Sequence, residues 1–437
     1  MSRGLSNRGI KASKTVLRVD MDEYFDAIQN LYDKNENPDG TFPLNMAENK
    51  LSWHLLKEKI QTITREKEIP EWVAGYTSGK GAPSFREAAA AFLSECLAGC
   101  ELDPELFAFS AGATSVVEMT ALVLGDEGDV MAVPAPCYPV YKQDVANIAQ
   151  MERYDIITHH DIADIKNGVL LNTSHLEHAK KEIESTGKRF RMLALTNPDN
   201  PTGGIFSYEQ LIEIANWCIE NEVHLIVNEI YGLSLIDTKN PVIAADYTSE
   251  LSFVSFIKIM KDKQSDYLHW WYSFSKDFGI SGFRIGATYS YNEAFINAYE
   301  NINYSHLTSN YAQWVMEEVF KDLDFVKKYI ETNQLLLTEA YIVVIQKLRE
   351  LNIEYVPSRG SLFIWADFSR FLTESTLEAE RAFWSLCYEK TGILLTPGEG
   401  FGHTKHGLYR IVYPFFTSEA LKVAMVRLEE FVKTISK

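Results

Sequence analysis

Basic charge is in short supply in this sequence: Lys and Arg total 42 against 60 Asp and Glu, a formal net charge of -18. Bulk repulsion then opposes nucleic acid or an anionic membrane as the main partner, while leaving room for one local cationic pocket around a phosphate. Cysteine is scarce too. The five (Cys96, Cys100, Cys137, Cys218 and Cys387) are odd in number and form no CxxC pair, which argues against a disulfide framework and for a reducing compartment. Cys96 and Cys100 stand four apart on an expected helix, but no second ligand pair lies nearby, so packing is expected there and no metal. No apolar run approaches the ~20 residues that span a bilayer. The N-terminal Arg3, Arg8, Lys11 and Lys14 accompany no apolar stretch of the signal-peptide kind. Repeats at solenoid periods and low-complexity tracts are also missing. The expectation is a cytoplasmic protein with no membrane or nucleic-acid partner.

What is present is an ordinary globular composition, 46% apolar and 23% charged, over 437 residues, enough for two domains or more. From about 53 to 300, helical patterns alternate with short apolar runs. Strands are expected at Leu106 to Ser110, Val130 to Pro134, Met192 to Thr196, His224 to Asn228, Trp270 to Phe274 and Ile285 to Tyr289. Such alternation implies an α/β fold with a mostly parallel sheet, helices on both faces and ligand loops at the carboxyl ends of the strands. A nearly unbroken helical pattern from Tyr311 to Leu351 suits a helix pair leading to a smaller α+β C-terminal domain. The expected division is an N-terminal arm over 1–52 that joins the small domain, a large domain over 53–325 and a small domain over 326–437.

Chemistry gathers just after the expected strands. Ser273-Phe-Ser-Lys276-Asp-Phe-Gly-Ile-Ser-Gly-Phe-Arg284 sets a lysine between a hydroxyl three residues before it and an arginine eight after. An amine there can form a Schiff base with a phosphorylated aldehyde, while hydroxyl and guanidinium bind its phosphate through charge-assisted hydrogen bonds. Gly112-Ala113-Thr114 follows a strand and opens a helix, whose first N–H groups form a natural phosphate site. Further segments are Tyr76-Thr-Ser-Gly, Pro136-Cys-Tyr138-Pro, Asn197-Pro-Asp-Asn200-Pro-Thr-Gly203, Asn228-Glu-Ile-Tyr231 and Tyr409-Arg410-Ile-Val-Tyr. Taken singly, most have an ordinary reading as a rigid turn, a helix start or a strand arginine in a salt bridge.

In their order over residues 76 to 410, these segments resemble the motifs of the class I/II aminotransferases and, still more closely, those of the 1-aminocyclopropane-1-carboxylate (ACC) synthases. The resemblance implies the pyridoxal phosphate (PLP)-dependent transferase fold of type I and PLP on Lys276. It implies a phosphate site from Ser273, Arg284, Gly112, Ala113 and Thr114, and an aromatic stack of Tyr138 on the pyridine ring. Asn200 and Tyr231 would hydrogen-bond the phenolic oxygen, and Arg410 would grip the substrate α-carboxylate. It also implies a homodimer with shared active sites, in which Tyr76 reaches the neighbouring subunit's phosphate; ACC synthases set their tyrosine nearer the glycine than Tyr76 stands.

Asn45-Met-Ala-Glu48-Asn-Lys-Leu51 resembles the Leu-Ala-Glu-Asn-x-Leu segment of ACC synthases, which places Glu48 beside the cofactor, to hold a cationic substrate group such as a sulfonium or to act as a base; a helix-start acid is the ordinary alternative. The implied function is conversion of an α-amino acid through an aldimine and an α-carbanion, with elimination, replacement or cyclisation and S-adenosylmethionine as the leading substrate. An ordinary amino acid aminotransferase and a catalytically quiet PLP-binding protein are the alternatives. The departure from the family is Asn228, where an aspartate normally keeps the pyridine nitrogen protonated so that the ring can absorb carbanion charge. A neutral amide gives no such charge stabilisation. Glu229 is a poor substitute, because neighbouring strand residues point to opposite faces. An attenuated electron sink, a diverged reaction or an engineered change would each account for it.

Overall fold

The computed structural model describes residues 4–15, 18–165 and 171–435; Arg3 lies outside them. The described residues form a seven-stranded sheet of β1 (Phe107–Ser110), β2 (Val130–Ala135), β3 (Glu152–Ile157), β4 (Phe190–Thr196), β5 (His224–Asn228), β6 (Leu268–Ser273) and β7 (Gly286–Ser290). Their order across the sheet is β1-β7-β6-β5-β4-β2-β3, and all pairings are parallel except those of β7, which runs antiparallel to both neighbours. The interior strands are buried on both faces, as the apolar runs of the sequence require of a sheet covered by helices. β3 is the strand that the apolar pattern does not announce: Glu-Arg-Tyr-Asp-Ile-Ile forms a half-exposed edge.

One apolar core covers one face of this sheet, with Phe85, Phe92, Phe274, Phe278 and Phe320 packed ring against ring. A second cluster covers the other face through helix α1 (Ala113–Leu124). The short helix α2 (Phe274–Asp277) leaves β6 and is wedged into the first core by Phe274, with Phe278 just beyond its end, so the lysine between them has a fixed origin.

A further sheet pairs Glu354–Tyr355, Phe363–Asp367, Leu408–Val412 and Thr396–Pro397, all antiparallel. Its residues share a core with Tyr24, Ala27, Phe42 and Leu44 of the N-terminal arm. The arm also pairs Phe42–Pro43 in parallel with Ile393–Leu394. Helix α3 (Leu323–Glu350) joins the two bodies: Val326 and Tyr329 pack in the large core, and Leu337 to Leu348 in the small one. The passage between cores therefore lies inside the helix, past the division at 325/326 set from the sequence. The expected helix pair is present, broken between Asn310–Phe320 and α3 where the Asp322 carboxylate accepts from Phe325 N at 3.0 Å. No helix among the described residues is long and apolar enough to cross a membrane.

Candidate functional site

The carboxyl ends of β4, β5 and β6, the N-terminus of α1, the arm and the small sheet enclose a cleft of about 850 Å³ including its open mouth. Lys276, Asn200, Asn228, Tyr231, Tyr138, Ala113, Thr114, Arg284 and Arg410 all line it, although they are scattered over some three hundred residues of chain. Lys276 Nζ donates to the Ala47 carbonyl at 2.6 Å. Burial lowers its pKa to about 8, against the opposing pull of Glu48 and assisted by Arg410 and Arg284. A lysine so placed holds far more free amine near neutral pH than an ordinary lysine, and the free amine is what attack on an aldehyde requires. Asp277 locks the lysine's helix from behind, accepting from Ser234 Oγ at 2.6 Å, Tyr272 OH at 2.7 Å and Leu233 N at 3.1 Å.

The phosphate end is built from a close approach. Gly112 caps α1 at φ +90°, and a Cβ there would lie 2.3 Å from Arg284 Nη2, so only glycine lets the guanidinium lie against the helix start. No side chain caps the first turn of α1, leaving its N–H groups for an anion. Arg284 itself sits in the left-handed region at φ +55°. The hydroxyl residues that line this wall are Thr114 and Ser275. Ser273 does not line the cleft: it is fully buried and its Oγ donates to the Ile285 carbonyl at 2.7 Å. Ser273 thus becomes the N-cap of α2, because a residue at the end of a β-strand whose hydroxyl faces the turn meets backbone before it meets solvent.

Two amides have their orientation fixed by neighbours that can only donate. Asn200 Oδ1 accepts from Arg410 Nη1 at 2.9 Å, so the group this cleft-lining amide has left to offer a ligand is its Nδ2. Asn228 Oδ1 accepts from Ile230 N at 3.2 Å, and its Nδ2 donates to Tyr141 OH at 2.9 Å. A ligand facing Asn228 therefore meets an N–H. Glu229 points away and is consumed by Ser255 Oγ, Phe256 N and Trp270 Nε1. Arg410 is 1% exposed. It is held by Asn45 O at 2.9 Å and Thr396 Oγ1 at 3.3 Å between the faces of Phe363 and Phe401, with its Nε unpartnered. Burial, then the charge of Arg18, depresses its pKa to about 9. Tyr138 stands edge-on to Tyr141, its loop tied by Arg153 to the Tyr138 and Pro139 carbonyls. Burial raises Tyr138 to about 12 and Tyr231 higher still, so both keep their protons.

Like Ser273, neither Glu48 nor Tyr76 lines the cleft of its own chain. Glu48 is absent from the lining and its carboxylate meets Lys50 Nζ at 3.3 Å, yet its charge acts on Lys276 through space. Tyr76 is 97% exposed on a loop. Three lining residues carried no signal strong enough to single them out: Arg18 on the arm, Tyr141 beneath Asn228, and Asp144, whose carboxyl burial and Glu118 raise to about 8. The Tyr141 and Asp144 pair stands three apart, one face of the helix that follows Tyr138, which is the spacing that could have shown them. No cluster of metal-binding side chains occurs among the described residues.

A buried reactive amine, an anion-ready helix start with an arginine against it and two inward amide N–H groups fit a phosphorylated pyridine aldehyde. The comparisons agree. The family model for aminotransferase class I and II matches residues 42–428. The chain is 28% identical over 420 residues to 1-aminocyclopropane-1-carboxylate synthase 7 of Arabidopsis thaliana, covering 92% of this chain and 90% of that one. It is 28% identical over 409 residues to the ACC synthase of Nicotiana tabacum, covering 91% and 80%. Aspartate aminotransferase from Thermus thermophilus with maleate shares the fold, with a TM-score of 0.78 at 19% identity over 98% of this chain and 99% of that one. So does the aromatic aminotransferase from Pyrococcus horikoshii OT3, with a TM-score of 0.74 at 21% identity over 90% and 96%. The chain belongs to the class I and II aminotransferase family and is an enzyme that works through pyridoxal phosphate.

Proposed function

We propose that this enzyme removes the α-proton of an amino acid and then breaks or replaces a bond at its γ-carbon, in the manner of an ACC-synthase-like lyase or transferase. The observation that carries the reading is the convergence in one cleft of Lys276 Nζ, the buried Arg410 and the inward N–H groups of Asn200 and Asn228. Bound PLP supplies an electron-withdrawing ring conjugated to the substrate nitrogen. Lys276 would hold it, with Arg284, Ser275 and the Ala113 and Thr114 amides on its phosphate, and Tyr138 against its ring. Arg410 would take the α-carboxylate bidentately, with Asn200 fixing its orientation. The freed Lys276 amine, partly unprotonated near pH 8, would accept the α-proton.

Asn228 tunes this scheme. Its amide N–H can donate to an unprotonated ring nitrogen but cannot hold a proton there, so carbanion charge is absorbed more weakly. A pathway that expels a leaving group soon after α-proton loss needs the ring less than full amino transfer does. We also propose a homodimer, in which the exposed Tyr76 belongs to the partner's site. The first experiment is mass analysis of the PLP-loaded enzyme with S-adenosylmethionine, the substrate that the ACC synthase relatives suggest, alongside NMR of α-hydrogen exchange in D₂O with a panel of amino acids. Methylthioadenosine with a four-carbon amino acid supports γ-chemistry. Conversion of the cofactor to its amine form by an amino acid alone turns the assignment to an aminotransferase. Failure of every amino acid to exchange its α-hydrogen overturns both.

A further inference from the structure

We propose that Arg18 is a specificity-determining residue that selects substrates whose side chain or leaving group is anionic. The inference rests on the reading above, in which the other cations of the cleft already have partners. Lys276 takes the cofactor, Arg284 its phosphate and Arg410 the α-carboxylate, and Arg18 is the cationic lining residue left over among the described residues.

Its placement is built. Arg18 Nε donates to Asp20 Oδ1 at 2.8 Å, and Nη2 donates to Asp20 Oδ2 and, at 3.2 Å, to the Asn45 carbonyl. Asp20 is buried and further held by Asn45 Nδ2 at 2.7 Å. The same Asn45 carbonyl accepts from Arg410 Nη2 at 2.9 Å, so two guanidinium groups meet at one oxygen. These contacts use Nε and Nη2. Nη1 makes no hydrogen bond among the described residues and belongs to a side chain that lines the cleft. Asp20 does not cancel the positive charge: at Arg410 the depressing effect of Arg18 exceeds the opposing effect of Asp20. A second anion in the cleft relieves this repulsion, just as the first does at Arg410.

A cationic side chain meets the reverse. Glu48, the carboxylate that the sequence offered to a sulfonium, pairs with Lys50 outside the lining. The acid on the wall, Asp144, is held mainly protonated at neutral pH by burial and by Glu118. The matching substrate class is therefore a four-carbon amino acid whose γ-leaving group is anionic, a phosphate or a carboxylate-bearing ester.

The test measures dissociation constants for the holoenzyme from the shift in cofactor absorbance, with glutarate against pentanoate. These five-carbon acids differ in one terminal carboxylate and carry no α-amine, so the readout needs no turnover. The expected result is at least tenfold tighter binding of glutarate, a ratio that Arg18→Gln lowers about tenfold and Arg18→Lys largely keeps. Taking the ratio within each variant cancels any general loss of active protein. Equal binding of the two acids by the unaltered enzyme, or an unchanged ratio in Arg18→Gln, overturns the proposal. Tighter binding of S-adenosylmethionine than of O-phospho-L-homoserine overturns it as well. Failure of the α-proton reading shows separately, as absence of α-hydrogen exchange.

Discussion

An asparagine amide can offer a ligand either its oxygen or its N–H groups, and at residues 200 and 228 the neighbours decide. Because Ile230 N–H fixes Asn228 Oδ1, Asn228→Asp would place a second carboxylate oxygen where the amide N–H now points. The expected outcome is a protonated ring nitrogen, read as a change in the ¹⁵N shift of labelled cofactor, with a larger share of amino-transfer products. An unchanged shift and product mixture would sink the weakened-sink argument. At Gly112 the constraint is steric. Gly112→Ala puts a methyl 2.3 Å from Arg284 Nη2 at φ +90°, and should weaken cofactor binding about tenfold or more, roughly 1.4 kcal/mol; equilibrium dialysis of the cofactor checks it. Motif spacing could show Lys276, Asn200 and the Gly112 turn, each just past a strand, and Arg410 within one. It could not choose Ser275 over Ser273, because which hydroxyl faces the cleft depends on where β6 ends and α2 begins. Nor could it show Arg18, whose position depends on how the arm folds back onto the small sheet.

Elements carry these residues into place, and the arm is the least autonomous of them. Its apolar residues pack on the small sheet, and its polar contacts run to α3: Asn333 Oδ1, 1% exposed, accepts from Asn49 Nδ2 at 2.8 Å and Ser52 Oγ at 3.0 Å. Asn333→Leu removes that acceptor and leaves two buried donors unpaired, at about 1–3 kcal/mol each. The expected result is a lowered melting temperature with faster proteolysis between 18 and 52, and weaker cofactor retention, since Ala47 and Asn49 abut the Lys276 loop. Intact resistance of the arm would mean that its apolar contacts, its pairing with Ile393–Leu394 and the Arg410 and Arg427 bonds to its carbonyls hold it without Asn333. Strand existence was readable where both faces are buried: the His224 to Asn228 run is β5 residue for residue, and the others differ by one or two positions. β3 was not readable, because an edge strand facing solvent has neither a continuous apolar run nor a clean alternation.

At the scale of the whole molecule, burial of ionisable groups ties stability to pH. Glu229 and Asp277 are each raised to about 7, and Asp144 to about 8, in every case chiefly by burial. A carboxyl with a folded pKa above its unfolded value holds a proton in the fold that the unfolded chain has released. Its stabilisation is full below the unfolded pKa and is lost as pH rises through the folded one. Buried histidines work in the opposite sense: His159 and His224 are lowered by burial to about 4 and 3, so they add stability as pH rises toward 6.5 and then stop. Lys276, lowered to about 8, adds stability only as pH rises above that value. The melting temperature of the cofactor-free enzyme should therefore decline from about pH 5, fall most steeply just above pH 6.5 where the histidines no longer offset the carboxyls, and recover from about pH 8 toward pH 9.5. Scanning calorimetry at constant ionic strength checks this, and Glu229→Gln should flatten the fall. With PLP attached to Lys276 the recovery above pH 8 should disappear, because the lysine no longer titrates as a free amine. A melting temperature that does not fall between pH 6.5 and 8 would mean that these carboxyls are already ionised in the fold, and Asp144 would then be an anion on the same cleft lining as Arg18.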